Sequence, residues 1–108
     1  YLDIRSKFVK SSSLNTSKKK DELIVEILQI VKSNHYYTPL GSIGYLSKNT
    51  QFKEKKINIF IQEYECEKYK QLHGDFIDHL SVMDLLMNEG PNSKKIILSG
   101  KKFKKYDF

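Results

Sequence analysis

Apolar side chains first recur with a helical period between Leu23 and Val31, where Leu23, Ile24, Ile27, Leu28 and Val31 fall on one helical face. Asp21 and Glu22 sit where first-turn acids complement the helix dipole, and Ser33-Asn34 offers a stop. Val25 and Ile30 widen the stripe, so burial on more than one side is expected. A second helix is predicted after Thr38-Pro39, a cap followed by the residue favoured at the first helical position. Its apolar residues Leu40, Ile43 and Leu46 follow at three-residue steps, Gly41 and Gly44 permit close packing, and Lys48-Asn49 ends it. His35-Tyr36-Tyr37 before it reads as an exposed connection.

Between residues 54 and 80 two periods compete. Ile57, Ile59 and Ile61 alternate like a strand, while Ile57, Phe60, Ile61 and Tyr64 fit a helix face. The polar run from Gln62 to Lys70, with Glu63 and Glu67 at a helical step, favours helix. Leu72, Phe76, Ile77 and Leu80 make a further stripe, giving one long helix or two joined near His73-Gly74. Val82–Met87 and Lys95–Leu98 are short apolar runs around the turn formers Asn88-Glu89-Gly90-Pro91-Asn92-Ser93, which predicts a β-hairpin. The expected class is therefore α+β, mainly α: a winged-helix-like body of three to four helices with a C-terminal β-hairpin.

Charge changes the picture by dividing the chain in three. Residues 1–20 carry Arg5, Lys7, Lys10, Lys18, Lys19 and Lys20 against Asp3, a net of +5. Residues 94–108 carry Lys94, Lys95, Lys101, Lys102, Lys104 and Lys105 against Asp107, again +5, and the stretch between is net −4. The reading is a basic extended arm (1–20), a winged-helix-like domain (21–99) and a basic aromatic tail (100–108). In the arm, Ile4–Val9 offers a short β-segment at most. With 108 residues there is room for one domain that buries roughly two-thirds of its unfolded surface. The chain starts at Tyr1 rather than methionine, as a processed or partial chain does, so localisation is not legible at that end. No stretch approaches the roughly 18 apolar residues of a membrane span, so a soluble chain is expected.

Candidate chemistry is sparse. Cys66 is the sole cysteine, which excludes an intramolecular disulfide and argues against a thiolate zinc site. His73, Asp75, Asp78 and His79 form a grouping that includes an i, i+4 pair if helical, but no third ligand is placed, and a surface ion pair is the simpler account. Gly41-Ser42-Ile43-Gly44 lacks the length and the lysine of a phosphate loop. No catalytic residue, cofactor or metal is expected, and the chain reads as a non-enzyme.

Four segments resemble winged-helix modules of the LOTUS (OST-HTH) type and similar domains of mitochondrial ribosomes and RNA-processing particles. They are Tyr37-Thr38-Pro39-Leu40 with Ile43, Leu72 through Phe76-Ile77-Asp78-His79, Met83–Met87, and Ile96-Ile97-Leu98-Ser99. The resemblance implies a place in an RNA-protein assembly and no catalytic activity; the expected location is mitochondrial, with the cytoplasm as the alternative. The lysine-rich ends suit a phosphate backbone independently of it, since neutralising phosphates releases counterions. The expected nucleic-acid-binding residues are thus Arg5, Lys7, Lys10, Lys18, Lys19, Lys20, Lys94, Lys95, Lys101, Lys102, Lys104 and Lys105, with Phe103 and Tyr106 as stacking surfaces. Glu63, Glu65, Glu67, Asp75 and Asp78 would repel phosphates from a recognition helix, so RNA is preferred to sequence-read DNA. The expected function is a non-catalytic RNA-binding component of a ribonucleoprotein particle, a mitochondrial ribosomal protein contacting rRNA and neighbouring proteins. Alternatives are a protein-interaction module and a free RNA-binding regulator.

Overall fold

The computed structural model describes residues 2–107. Its regular elements are α1 (Lys20–Ile30), β1 (His35–Pro39), α2 (Ile43–Leu46), α3 (Gln51–Glu54), β2 (Asn58–Gln62), α4 (Val82–Glu89), α5 (Ser93–Ser99) and β3 (Phe103–Tyr106), with short 3-10 turns between some of them. The class is α+β. Two units divide the chain: a sheet unit of Lys7–Glu63 with the stretch from Phe103 onward, and a helical unit of Tyr64–Lys102 with the stretch up to Ser6. Among the described residues no helix is long and apolar enough to cross a membrane.

In the sheet unit, β1 pairs parallel to β2 and β2 pairs antiparallel to β3, giving the order β1-β2-β3. The competition of periods over 57–61 is won by alternation: Ile57, Ile59 and Ile61 are all buried, and β-branched side chains suit a pleated, half-buried surface. The helix predicted there is corrected to β2. Val25 and Leu28 from α1, Leu46 from α2 and Phe52 from α3 pack on the isoleucine face, with Tyr36 and Tyr106 at its margin. α1 forms as its periodicity predicts and stops where expected, but Ile30 and Val31 are exposed rather than buried. The helix predicted after Thr38-Pro39 starts later, because His35–Pro39 extends alongside β2 as a strand.

Both helices that precede a parallel strand end in the same way. At the end of α1, Lys32 adopts φ 55° and donates to Gln29 O at 3.1 Å, while Ser33 N donates to Leu28 O at 2.8 Å. At the end of α3, Lys56 adopts φ 54° and donates to Lys53 O at 3.0 Å, while Ile57 N donates to Phe52 O at 2.8 Å. These are Schellman motifs with lysine at the left-handed position that glycine usually fills. Each reverses the chain directly into its strand, and Asn58 N donating to Asn34 O at 2.8 Å ties the two exits together.

In the helical unit, the predicted hairpin over 82–98 is instead the helix pair α4 and α5. The Ser81 hydroxyl caps α4 by accepting from Met83 N at 3.3 Å, and Gly90-Pro91 separates the helices. Ser93, fully buried, donates to Leu85 O at 3.3 Å. The turn formers therefore join two helices, and the apolar runs are helix faces built on Leu85 and Ile96. Residues 63–80, expected as helix, have no regular structure. Their irregular path is pinned by side chains: Gln71 exchanges two hydrogen bonds of 2.8 Å with the Ile77 backbone, and Tyr69 donates to Asp84 at 2.6 Å. That hydrogen bond to the carboxylate, with partial burial, holds the Tyr69 phenol above its ordinary pKa.

Candidate functional site

Strand alternation gives the sheet two unlike faces. The inward one carries Ile59, Ile61, Tyr36 and Tyr106 into the core. By register, the outward one carries His35 beside Asn58, Tyr37 beside Phe60, and Lys105 and Phe103 beside Phe60 and Gln62. The outward aromatic rings form a connected row. His35 stacks on Phe60 with centroids 5.5 Å apart, Tyr37 stacks on Phe60 at 5.0 Å, and Tyr37 meets Phe103 edge-on at 5.1 Å. Tyr37 is 57% exposed and Phe103 40%. Parallel strand pairs ordinarily have both faces covered, so an aromatic face left open on one is a surface suited to a planar or apolar partner.

One end of this face runs into a cleft of about 520 Å³ at the start of β2 and the end of β3. Lys53, Lys56 and Lys105 line it together with Asn34, Asn58 and Asp107. Asn58 and Lys105 belong to both the aromatic face and the cleft, which makes the two continuous. The combination offers ring faces for stacking, amides for directional hydrogen bonds and lysines for anionic groups.

The residues singled out in the sequence are spread over both units. Phe103 and Lys105 lie on the outward face, whereas Lys104 pairs with Ile61 on the other face and Tyr106 is committed to the core margin. Arg5 and Lys94 both pair with Asp3, at 2.8 and 3.3 Å, and Lys102 pairs with Glu65. The Arg5 hydrogen bond, then Lys94, lowers the Asp3 pKa. Lys7, Lys10, Lys19, Lys20 and Lys95 are exposed side chains outside the three strands that carry the aromatic row. Lys18 is exposed as well; its backbone N–H donates to Glu26 at 3.0 Å. Lys101 is exposed, in the segment between α5 and β3.

Sequence reasoning missed His35, Tyr37, Phe60, Asn58, Lys53 and Lys56. The signal for two of them was present: once Ile57, Ile59 and Ile61 are read as a buried face, Asn58 and Phe60 must face outward with Gln62, and an aromatic on the polar side of a strand is conspicuous. The His73, Asp75, Asp78 and His79 grouping lies on irregular backbone, so the helical i, i+4 juxtaposition does not exist; His79 Nδ1 approaches Asp78 Oδ1 at 3.4 Å at the surface.

Residues 1–96 match the family model described as the WbqC-like protein family. No curated protein and no solved structure matches the chain. The family match overturns the resemblance to LOTUS-type winged helices. That resemblance rested on apolar core positions, and the structure puts Met83–Met87 on a helix and Leu72–His79 on irregular chain.

Proposed function

The chain belongs to the WbqC-like protein family, so the functional reading passes from the winged-helix resemblance to the geometry of the sheet, and we propose that the outward face binds single-stranded RNA without catalysing a reaction. The observation that carries this is the outward row of His35, Phe60, Tyr37 and Phe103 with Lys105 set into it. Bases stack on such rings whatever their sequence, each contact worth about 1–3 kcal/mol, while lysines track the phosphates. Asn58 and Gln62 on the same face supply donors and acceptors for base edges or 2′-hydroxyls. The exposed lysines of both chain ends add a diffuse, salt-sensitive attraction. The expectation of a mitochondrial ribosomal component drew on the overturned resemblance and is not carried forward.

The test is fluorescence anisotropy with an oligouridine about eight nucleotides long and a duplex of matching length, over a salt series. Single strand bound in preference to duplex, with affinity falling as salt rises and weakened in Tyr37→Ala, supports the reading. Equal binding of duplex, or binding indifferent to Tyr37, overturns it. The bare face of a parallel pair also favours a second reading, in which a protein element covers the rings. Binding to such a partner would persist at high salt, where phosphate contacts fade.

A further inference from the structure

Resting on that reading of the sheet face, we infer that the lysine cleft at its end seats the terminal phosphate of the bound strand, so that the protein grips phosphorylated strand ends in preference to internal segments. Lys53, Lys56 and Lys105 converge on the cleft against the single carboxylate of Asp107, and these three lysines have no ion pair among the described residues. The excess is two positive charges. An internal phosphodiester brings one negative charge, whereas a phosphate monoester brings about −1.5 to −2 near neutral pH and three strong acceptor oxygens. Charge balance therefore selects the monoester found only at a strand end. The Asn34 and Asn58 amides supply neutral donors beside the lysines.

The cleft is also held in shape. Phe52, fully buried, anchors α3, and the Schellman motif after it fixes the turn on which Lys56 sits. The Asn58–Asn34 backbone hydrogen bond ties the cleft to the start of both parallel strands. Lys56 adopts φ 54°, where glycine would be unstrained, so lysine occupies a position that backbone energetics alone give to glycine. Because Asn58 and Lys105 lie on both surfaces, a strand stacked along the aromatic row reaches the cleft without a break.

The experiment compares three otherwise identical oligouridines, with a 5′-phosphate, with a 3′-phosphate, and with hydroxyls at both ends, on the full chain by fluorescence anisotropy. One phosphorylated end is expected to bind about tenfold tighter than the hydroxyl oligomer, the scale of one charge-assisted hydrogen bond. Lys56→Gly should abolish that preference while melting no lower than the parent, since glycine suits the left-handed position. Tyr37→Ala should weaken all three oligomers alike and leave the preference intact. Equal affinity for all three in a protein that binds them overturns the cleft assignment and leaves the platform reading standing. A preference that survives Lys56→Gly also overturns it. If none of the three binds, the platform reading falls and this inference falls with it.

Discussion

Tyr37 on β1 meets Phe103 on β3 edge-on, with ring planes inclined at 72°, although neither strand pairs with the other. The contact bridges over β2 and turns separate aromatics into one surface. Tyr37 is mostly exposed, so Tyr37→Ala should change stability by no more than about 0.5 kcal/mol, the usual range for surface positions. Single-stranded RNA affinity should nevertheless fall by about 1–3 kcal/mol, one stacking contact. Thermal melting and anisotropy on the same preparation separate the two effects. A large fall in melting temperature with unchanged affinity would mean that the rings only brace the sheet.

Lys32 and Lys56 occupy equivalent left-handed positions after α1 and α3. A side chain there costs roughly 1 kcal/mol relative to glycine, so Lys32→Gly should raise stability by about that amount, measured as a shift in the urea midpoint at constant slope. Lys32 does not line the lysine cleft, so RNA binding should be unaffected. Stability unchanged or lowered would show that the loss of unfolded-state stiffness outweighs the relief of strain.

Thr38 is 3% exposed and its hydroxyl has no hydrogen-bond partner among the described residues. Burying an unpaired hydroxyl costs about 1–3 kcal/mol, so Thr38→Val, which keeps the shape and removes the polar atom, should stabilise the protein by about 1 kcal/mol. Thr38→Ser keeps the hydroxyl and loses a methyl, and should destabilise. Chemical denaturation of the pair decides whether the hydroxyl is a burden or is satisfied in solution.

α1 was legible because its 11 residues repeat one period over several turns, leaving a strand no way to match. β2 spans only 5 residues, over which both periods fit, and the choice was settled by pairing with β1 and β3, which no local pattern encodes. Residues 82–98 misled for a related reason: short apolar runs around Gly90-Pro91 serve a hairpin or two capped helices equally well, and the Ser81 cap tips the balance. At the candidate site, Phe103 and Lys105 stood out as an aromatic and a charge. His35, Tyr37 and Phe60 did not, because they become one surface only through the β1–β2 register. Tyr106, adjacent to Lys105 in sequence, went to the core because alternation sends neighbours to opposite faces.

Glu26 sits within α1 but reaches back before its start. Its carboxylate accepts from the backbone N–H of Lys18 at 3.0 Å and of Ser17 at 3.1 Å, and from the Ser17 hydroxyl. These hydrogen bonds, that of Lys18 foremost, hold its pKa below the ordinary glutamate value of 4.5. A depressed folded-state value means that the stabilising contribution is complete above the unfolded value and is lost as pH falls through the folded one. Amide shifts of Ser17 and Lys18 should therefore titrate together with a midpoint below 4.5. Glu26→Gln should flatten that titration. A midpoint at or above the ordinary value would mean that the segment before α1 is not held in solution.

Gly100, buried after α5, lies so close to the chain at residues 64–65 that an added Cβ would stand 2.0 Å from Glu65 O and 2.8 Å from the Tyr64 ring. The first of these atoms belongs to the backbone and has little freedom, because Glu65 N donates to Gly100 O at 3.0 Å and the Glu65 side chain pairs with Lys102. Gly100→Ala must therefore open the backbone pairing as well as relieve an overlap. Overpacking alone costs about 1–3 kcal/mol, and the lost hydrogen bond adds about 1 kcal/mol more. Gly41 makes the control, since a Cβ there would meet nothing within 4 Å. Gly41→Ala should stay within about 0.5 kcal/mol of the parent or gain slightly from a stiffer unfolded chain. Amide exchange at Glu65 reads the difference directly: fast exchange in Gly100→Ala against protection in Gly41→Ala is expected. Equal protection in both would show that the two backbones are farther apart in solution than the structure places them.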